Sequence, residues 1–184
     1  MRWYFRLLFV GRKAMEINMK LNIVLVEPEI PSNTGNISRT CSVIGAALHL
    51  VHPLGFDISE KAVRRAGLDY WDELEIHEYQ SFAEVKVAYP DGEFYYCSTK
   101  AKHTYSRVSF PVEGDKEIFL VFGKETKGLP EDLLRQNLDS CIRIPMKPNM
   151  RSLNLSNSVA VIAYEVLRQN EFKNLQEEGC IPND

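Results

Sequence analysis

Short apolar runs that recur between helix-patterned segments constrain this chain more than any other feature. Leu21-Asn22-Ile23-Val24-Leu25-Val26 ends at Glu27-Pro28, and Ile118-Phe119-Leu120-Val121-Phe122 is the clearest of the set. Runs this short, apolar at consecutive positions, suit strands buried on both faces, because a half-exposed strand would alternate apolar with polar. After the first run Ser32 or Asn33 can cap a helix in which Ile37, Cys41 and Ile44 recur at helical spacing before Gly45. Leu48–His52, closed by Pro53, reads as the next strand. The alternation continues with a helical piece over Ser59–Ala66, a strand near Leu74–His77, a helix over Ser81–Ala88 and a strand at Phe94–Cys97. A helix from about Glu131, a strand at Cys141–Ile144 and a helix over Asn157–Arg168 follow, the last capped by Ser156 or Asn157. This order predicts an α/β fold, a mostly parallel sheet with helices on both faces.

A chain of 184 residues with 45% hydrophobic content can bury one real core. We expect one domain over residues 19–170, an N-terminal extension over 1–18 and a polar tail over 171–184. The extension contains Trp3–Val10, but Arg6 interrupts the run, which is too short to span a bilayer, so no membrane partner is expected. Cys41, Cys97, Cys141 and Cys180 are widely spaced, which suggests reduced thiols and a cytoplasmic protein rather than a disulfide framework. The four histidines lack close metal-ligand spacing, and no metal is expected. A formal charge of −3 argues against indiscriminate coating of nucleic acid and leaves room for local contacts only.

Ligands of parallel sheets bind beyond the carboxyl ends of the strands, and three polar segments fall there. In Gly123-Lys124-Glu125-Thr126-Lys127-Gly128 two glycines follow a strand, but Leu129-Pro130 stands where a phosphate loop needs Lys and Ser/Thr. Its glycines offer close backbone approach to a flat ligand, or equally a tight turn before the helix. In Asn33–Arg39, Asn33 and Gly35 read as turn and cap residues, and Arg39 as a surface ion pair or a bidentate phosphate ligand. In Ile144–Asn157, Pro145 and Pro148 enforce an extended loop, and capping leaves Arg151, Ser152 and Asn154 unexplained.

Asn33-x-Gly-x-x-x-Arg39, Phe122-Gly-x-Glu-x-x-Gly-Leu-Pro130 and Ile144-Pro-Met with Ser152-Leu-Asn-Leu-Ser-Asn157 resemble, in order, the three motifs of the SPOUT-class RNA 2′-O-ribose methyltransferases. The resemblance covers nearly everything from Met19 to Phe172. Glu27–Asn36 and Arg64–Tyr70, without an added RNA-binding domain, are similar to minimal members that methylate the wobble ribose, C or U at position 34, of leucine tRNAs. The resemblance implies S-adenosylmethionine as donor, S-adenosylhomocysteine as product, a C-terminal deep trefoil knot, a homodimer and tRNA as partner. Alternatives are another tRNA or rRNA ribose, or a non-catalytic RNA-binding protein of the same fold.

Carried over by motif, the cofactor residues are Cys97, Ser98, Thr99, Gly123, Glu125, Gly128, Ile144, Met146, Ser152, Leu153 and Asn154. The catalytic set is Arg39, Asn33, Ser152 and Asn154. Lowering an arginine from a pKa of about 12.5 to 7 would cost roughly 7.5 kcal/mol, so Arg39 is expected to clamp phosphate and support the forming alkoxide rather than act as a free base. Candidate tRNA contacts are Arg64, Arg65, Lys100, Lys102, Lys124, Lys127, Lys147 and Arg151.

Overall fold

In the structure, a computed structural model, residues 20–57, 74–110 and 117–181 are described. The order is β1 (Lys20–Val26), α1 (Pro31–Ile44), β2 (Ala47–Val51), β3 (Ile76–Tyr79), α2 (Phe82–Ala88), β4 (Glu93–Cys97), β5 (His103–Thr104), β6 (Glu117–Phe122), α3 (Glu131–Gln136), β7 (Cys141–Arg143) and α4 (Leu155–Gln169). The expected helix over Ser59–Ala66 lies outside the described residues, as do Arg64, Arg65 and the N-terminal extension.

All seven strands join one sheet, in the order β3-β2-β1-β6-β4-β7-β5, and every pairing is parallel. β6 slots between β1 and β4, so the loops after β1, β6, β4 and β7 leave the same edge side by side. The two faces divide by strict alternation. Ile23, Leu25, Leu120, Phe122 and Ile142 pack with Ile37 and Cys41 of α1 and Val159, Ile162 and Val166 of α4. Val24, Val26, Phe119, Val121 and Cys141 point the other way, toward Val85 of α2 and Leu134 of α3. Burial on both faces is why β1 and β6 read as nearly continuous apolar runs.

Two cap positions differ from expectation. α1 begins at Pro31 with no side-chain cap. The backbone carbonyl of Ile30 accepts from the Asn33 and Thr34 amides at 3.1 and 3.3 Å, and a proline at the first helical position has no N–H to satisfy. Asn33 is thereby released for other work. α4 is capped by Asn154 rather than by Ser156 or Asn157; its Oδ1 accepts from the amides of both, at 2.9 and 3.3 Å. Beyond these, β5 and the short 3₁₀ turns Tyr105–Arg107 and Leu138–Ser140 have no sequence signal of their own.

One polar cluster interrupts the apolar packing. His49 of β2 is fully buried, stacked on His77 at 4.9 Å, with Nε2 2.9 Å from Oδ1 of Asn22. The Asn22 amide donates onward to Glu117 at 3.0 Å. Burial first, then the neighbouring His77, pulls the His49 pKa down to about 4.

Candidate active site

At the carboxyl edge the loop after β6 folds back on itself. The Gly128 amide donates to the Lys124 carbonyl at 2.9 Å, and Gly128 has a φ of +70°. A Cβ on Gly123 would sit 2.2 Å from the backbone of Gly128 and Leu129. The close approach expected at Gly123 is therefore made by the loop's own return strand.

This loop is stitched to the loop after β1 by a reciprocal exchange. The Glu125 carboxylate accepts from the Glu29 amide at 2.9 Å and the Ile30 amide at 3.3 Å, while Glu29 accepts from the Thr126 amide at 3.0 Å and its hydroxyl at 2.8 Å. The two bonds from Thr126 hold the Glu29 carboxyl below the usual carboxylate range. Lys124 pairs with Glu27 beside them, and that carboxylate raises the pKa of the ammonium.

Asn33 extends the chain of bonds. Its Nδ2 donates to Glu125 at 2.9 Å, and its Oδ1 accepts from Nδ2 of Asn154 at 3.0 Å. Asn154 Oδ1 also accepts from the Ser156 hydroxyl at 2.7 Å. Each of the two amides donates one of its two N–H groups to this network. Residues some 90 and 120 positions apart in sequence thus form one continuous network, Glu29–Glu125–Asn33–Asn154. The neighbouring Thr34 hydroxyl is buried without a hydrogen-bond partner among the described residues.

Beside the network, a cavity opens beyond β4, β6 and β7. Cys97, Ser98 and Thr99 line one wall; Ile144, Met146, Ser152 and Leu153 line another; Phe122, Ile142, Ser158 and Ile162 close it, with Arg143 also in the lining. Cys97 is a neutral thiol, pushed well above its ordinary pKa by burial.

A profile of the SpoU rRNA methylase family matches residues 20–164. The chain belongs to this family. It is 50% identical, over 85% of its length and 99% of the other's, to a Geobacillus stearothermophilus protein named as a candidate tRNA (cytidine(34)-2′-O)-methyltransferase. A Bacillus anthracis crystal structure of a candidate RNA methyltransferase superposes with a TM-score of 0.82 at 44% identity, covering 86% of this chain and 99% of that one. A second structure, solved for insight into 2′-OH methylation of C/U34 on tRNA, gives 0.76 at 38% identity, covering 85% and 99%.

In this SpoU methylase the motif residues separate into two groups. Cys97, Ser98, Thr99, Ile144, Met146, Ser152 and Leu153 share the cavity, whereas Asn33, Glu125 and Asn154 form the network next to it. Gly123 and Gly128 shape the connecting loop. Arg39 lies on the exposed face of α1 with Ser32, Asn36 and Val43, outside the cavity lining. Of the basic candidates, Lys124 is paired with Glu27 and Lys100 with Glu131, while Lys102, Lys127, Lys147 and Arg151 are exposed. Sequence reading gave no separate role to Glu29, whose partner Thr126 is 97 positions away; an acid just past the end of a buried strand is the one local sign of it.

Proposed function

We propose that this chain transfers the methyl group of S-adenosylmethionine to the ribose 2′-oxygen of nucleotide 34, cytidine or uridine, in tRNA, leaving S-adenosylhomocysteine. The observation that carries this reading is the 50% identity, over 85% of this chain and 99% of the other, to a relative named for that reaction. The family motifs meeting at one sheet edge support it. Leucine tRNAs are the substrates that the minimal motif pattern favours, and the cytoplasm is where they would be met. Among the described residues no helix is long and apolar enough to cross a membrane. The catalytic domain is residues 19–170, between the extension 1–18 and the tail 171–184.

The cavity's composition fits the donor. Phe122, Ile142, Ile144 and Leu153 offer apolar surface to an adenine ring, and the hydroxyls of Ser98, Thr99 and Ser152 offer partners to a ribose. Bound there, the donor would supply an electrophilic methyl group. The protein's part is to hold the accepting ribose in line with it, an effect worth about 7–11 kcal/mol in well-oriented cases. Ser152, which lines the cavity, and Asn154 beside it would orient sugar and donor. Arg39 would clamp a phosphate and stabilise the forming alkoxide, with the hydroxyl proton leaving late or through water.

A C-terminal trefoil knot and a homodimer complete the reading. The dimer is supported by apolar side chains exposed on the two helices that share one sheet face: Val43 of α1 is 62% exposed, and Tyr164 of α4 is 44% exposed. Ile30 and Leu153 are exposed at the rim of the site, so a partner covering that face would reach it. The deciding experiment is methylation of total tRNA with labelled donor followed by mapping of the modified nucleotide. Label on the ribose of nucleotide 34 is expected; label elsewhere, or none, refutes the proposal. Arg39→Lys is expected to lower turnover about tenfold or more while tRNA affinity holds, because an ammonium cannot reproduce the bidentate fork. Near-normal turnover would remove the guanidinium role.

A further inference from the structure

A second hollow opens on the opposite side of the β4 and β7 strand ends. Ile142 lines the donor cavity, and Cys141, one residue earlier on the other face of the strand, lines this one. The partition between them is the turn Ser98–Ala101, held by the Ser98 amide on the Ile142 carbonyl at 2.9 Å and the Ala101 amide on the Ser98 carbonyl at 3.2 Å. Ser98 and Thr99 face the donor cavity; Lys100, Ala101 and Lys102 line the second hollow.

Its floor is apolar: Ala101 and Leu134, with Leu138, which is 57% exposed. Its rim is charged. Glu131 accepts from Lys100 and, at 2.9 Å, from Arg135, and Lys102 has no ion-pair partner among the described residues. These pairs are exposed, so each is worth at most about 1 kcal/mol and exchanges readily for a better anion. The Cys141 thiol donates to the Asn137 carbonyl at 3.2 Å, and burial raises its pKa, so the hollow offers binding without a nucleophile. An apolar floor, a carboxylate acceptor and a cationic rim match the three parts of a nucleotide: base face, exocyclic amine and phosphate.

We infer that this hollow is a nucleotide subsite, taking a base splayed out of single-stranded RNA over Leu138 and Leu134, with its phosphate on Lys100 and Lys102. The inference rests on the reading that the substrate is RNA. It places a neighbour of the methylated nucleotide across the Ser98–Ala101 turn from the donor.

The test measures affinity for a tRNA anticodon stem-loop in Leu138→Glu, Lys102→Ala and Leu138→Phe, with calorimetric affinity for S-adenosylhomocysteine as the check on folding. Leu138→Glu should weaken stem-loop binding by about tenfold, the scale of losing one stacked base, and Lys102→Ala should weaken it severalfold through the lost phosphate contact, whereas Leu138→Phe should hold or tighten it. Donor-product affinity should stay level in all three. NMR signals of Ala101 and Leu138 identify the source: a shift with cytidine 5′-monophosphate alone assigns a site open to free nucleotides, and a shift with the stem-loop only assigns an RNA subsite. Unchanged stem-loop affinity in both weakening variants, or signals silent to both probes, overturns the inference. The mononucleotide arm needs no turnover, so failure of methyl transfer on every tRNA would strike the functional reading and leave this result legible.

Discussion

Asn22 and Asn33 are both buried amides that relay hydrogen bonds between distant segments, yet they hold very different things. Asn22 sits inside β1 and ties His49 of β2 to Glu117 at the start of β6, neighbours whose positions the strand ladders already dictate. Asn33 sits where the chain has left the sheet, and with Glu125 and Asn154 it fixes three loops that no ladder constrains. Losing a bond in the first network should cost stability. Losing one in the second should cost geometry at the site, hence rate.

Glu125→Ala gives that contrast its hardest test. It leaves the amides of Glu29 and Ile30 and the Asn33 side chain without their acceptor. Methyl transfer should fall by about 100-fold, since a misplacement near 1 Å has that effect. Steady-state assay of a variant that still folds checks it, and retained activity would make the network merely structural.

The pH dependence of unfolding probes the other network. Above pH 6.5 His49 is neutral whether folded or not. Between 6.5 and about 4 the unfolded chain takes up a proton that the folded chain refuses, so stability falls as pH falls through that window. The loss should be on the order of 3 kcal/mol by urea titration, and His49→Phe should flatten the slope. A wild-type curve without it would mean that the cluster admits a charged imidazole.

Asn154→Ala belongs to both sides of the comparison, since one side chain caps α4 and anchors Asn33. We expect a loss of about 1 kcal/mol, typical of a removed cap, in thermal unfolding, together with a fall in turnover. A stability loss with full turnover would detach Asn154 from the chemistry. The smallest effect belongs to Thr34→Val. Replacing a buried hydroxyl that has no partner among the described residues by a methyl of similar shape should be neutral or stabilising by up to about 1 kcal/mol, again read by thermal unfolding. Clear destabilisation would show that the hydroxyl has work to do.

The alternation of elements is legible because β1, β2 and β6 are buried on both sides, which stamps apolar runs on Ile23–Val26 and Ile118–Phe122. The two-residue β5 carries no such stamp, and the position of β6 between β1 and β4 depends on contacts between distant segments that no local pattern records. At the site, the motif resemblance marks Ser152 and Asn154, but local reading offers Ser156 or Asn157 as the cap within a run of short polar residues. Both lie two or three positions past the actual cap, Asn154, and the Ser32 or Asn33 expected to cap the first helix is made unnecessary there by Pro31. Which polar groups line a cavity and which brace it is decided by direction in space, as the separation of Ser152 from Glu125 illustrates.

The buckle at Gly123 has a practical side. Because even a methyl there would collide with main chain, the positions from 123 to 128 behave as a fixed-length clasp whose ends accept no redesign. Anyone wishing to attach a dye or reshape this edge for a new acceptor should therefore work from the exposed Lys127, or from the far wall at Met146 and Leu153, and leave the clasp shut.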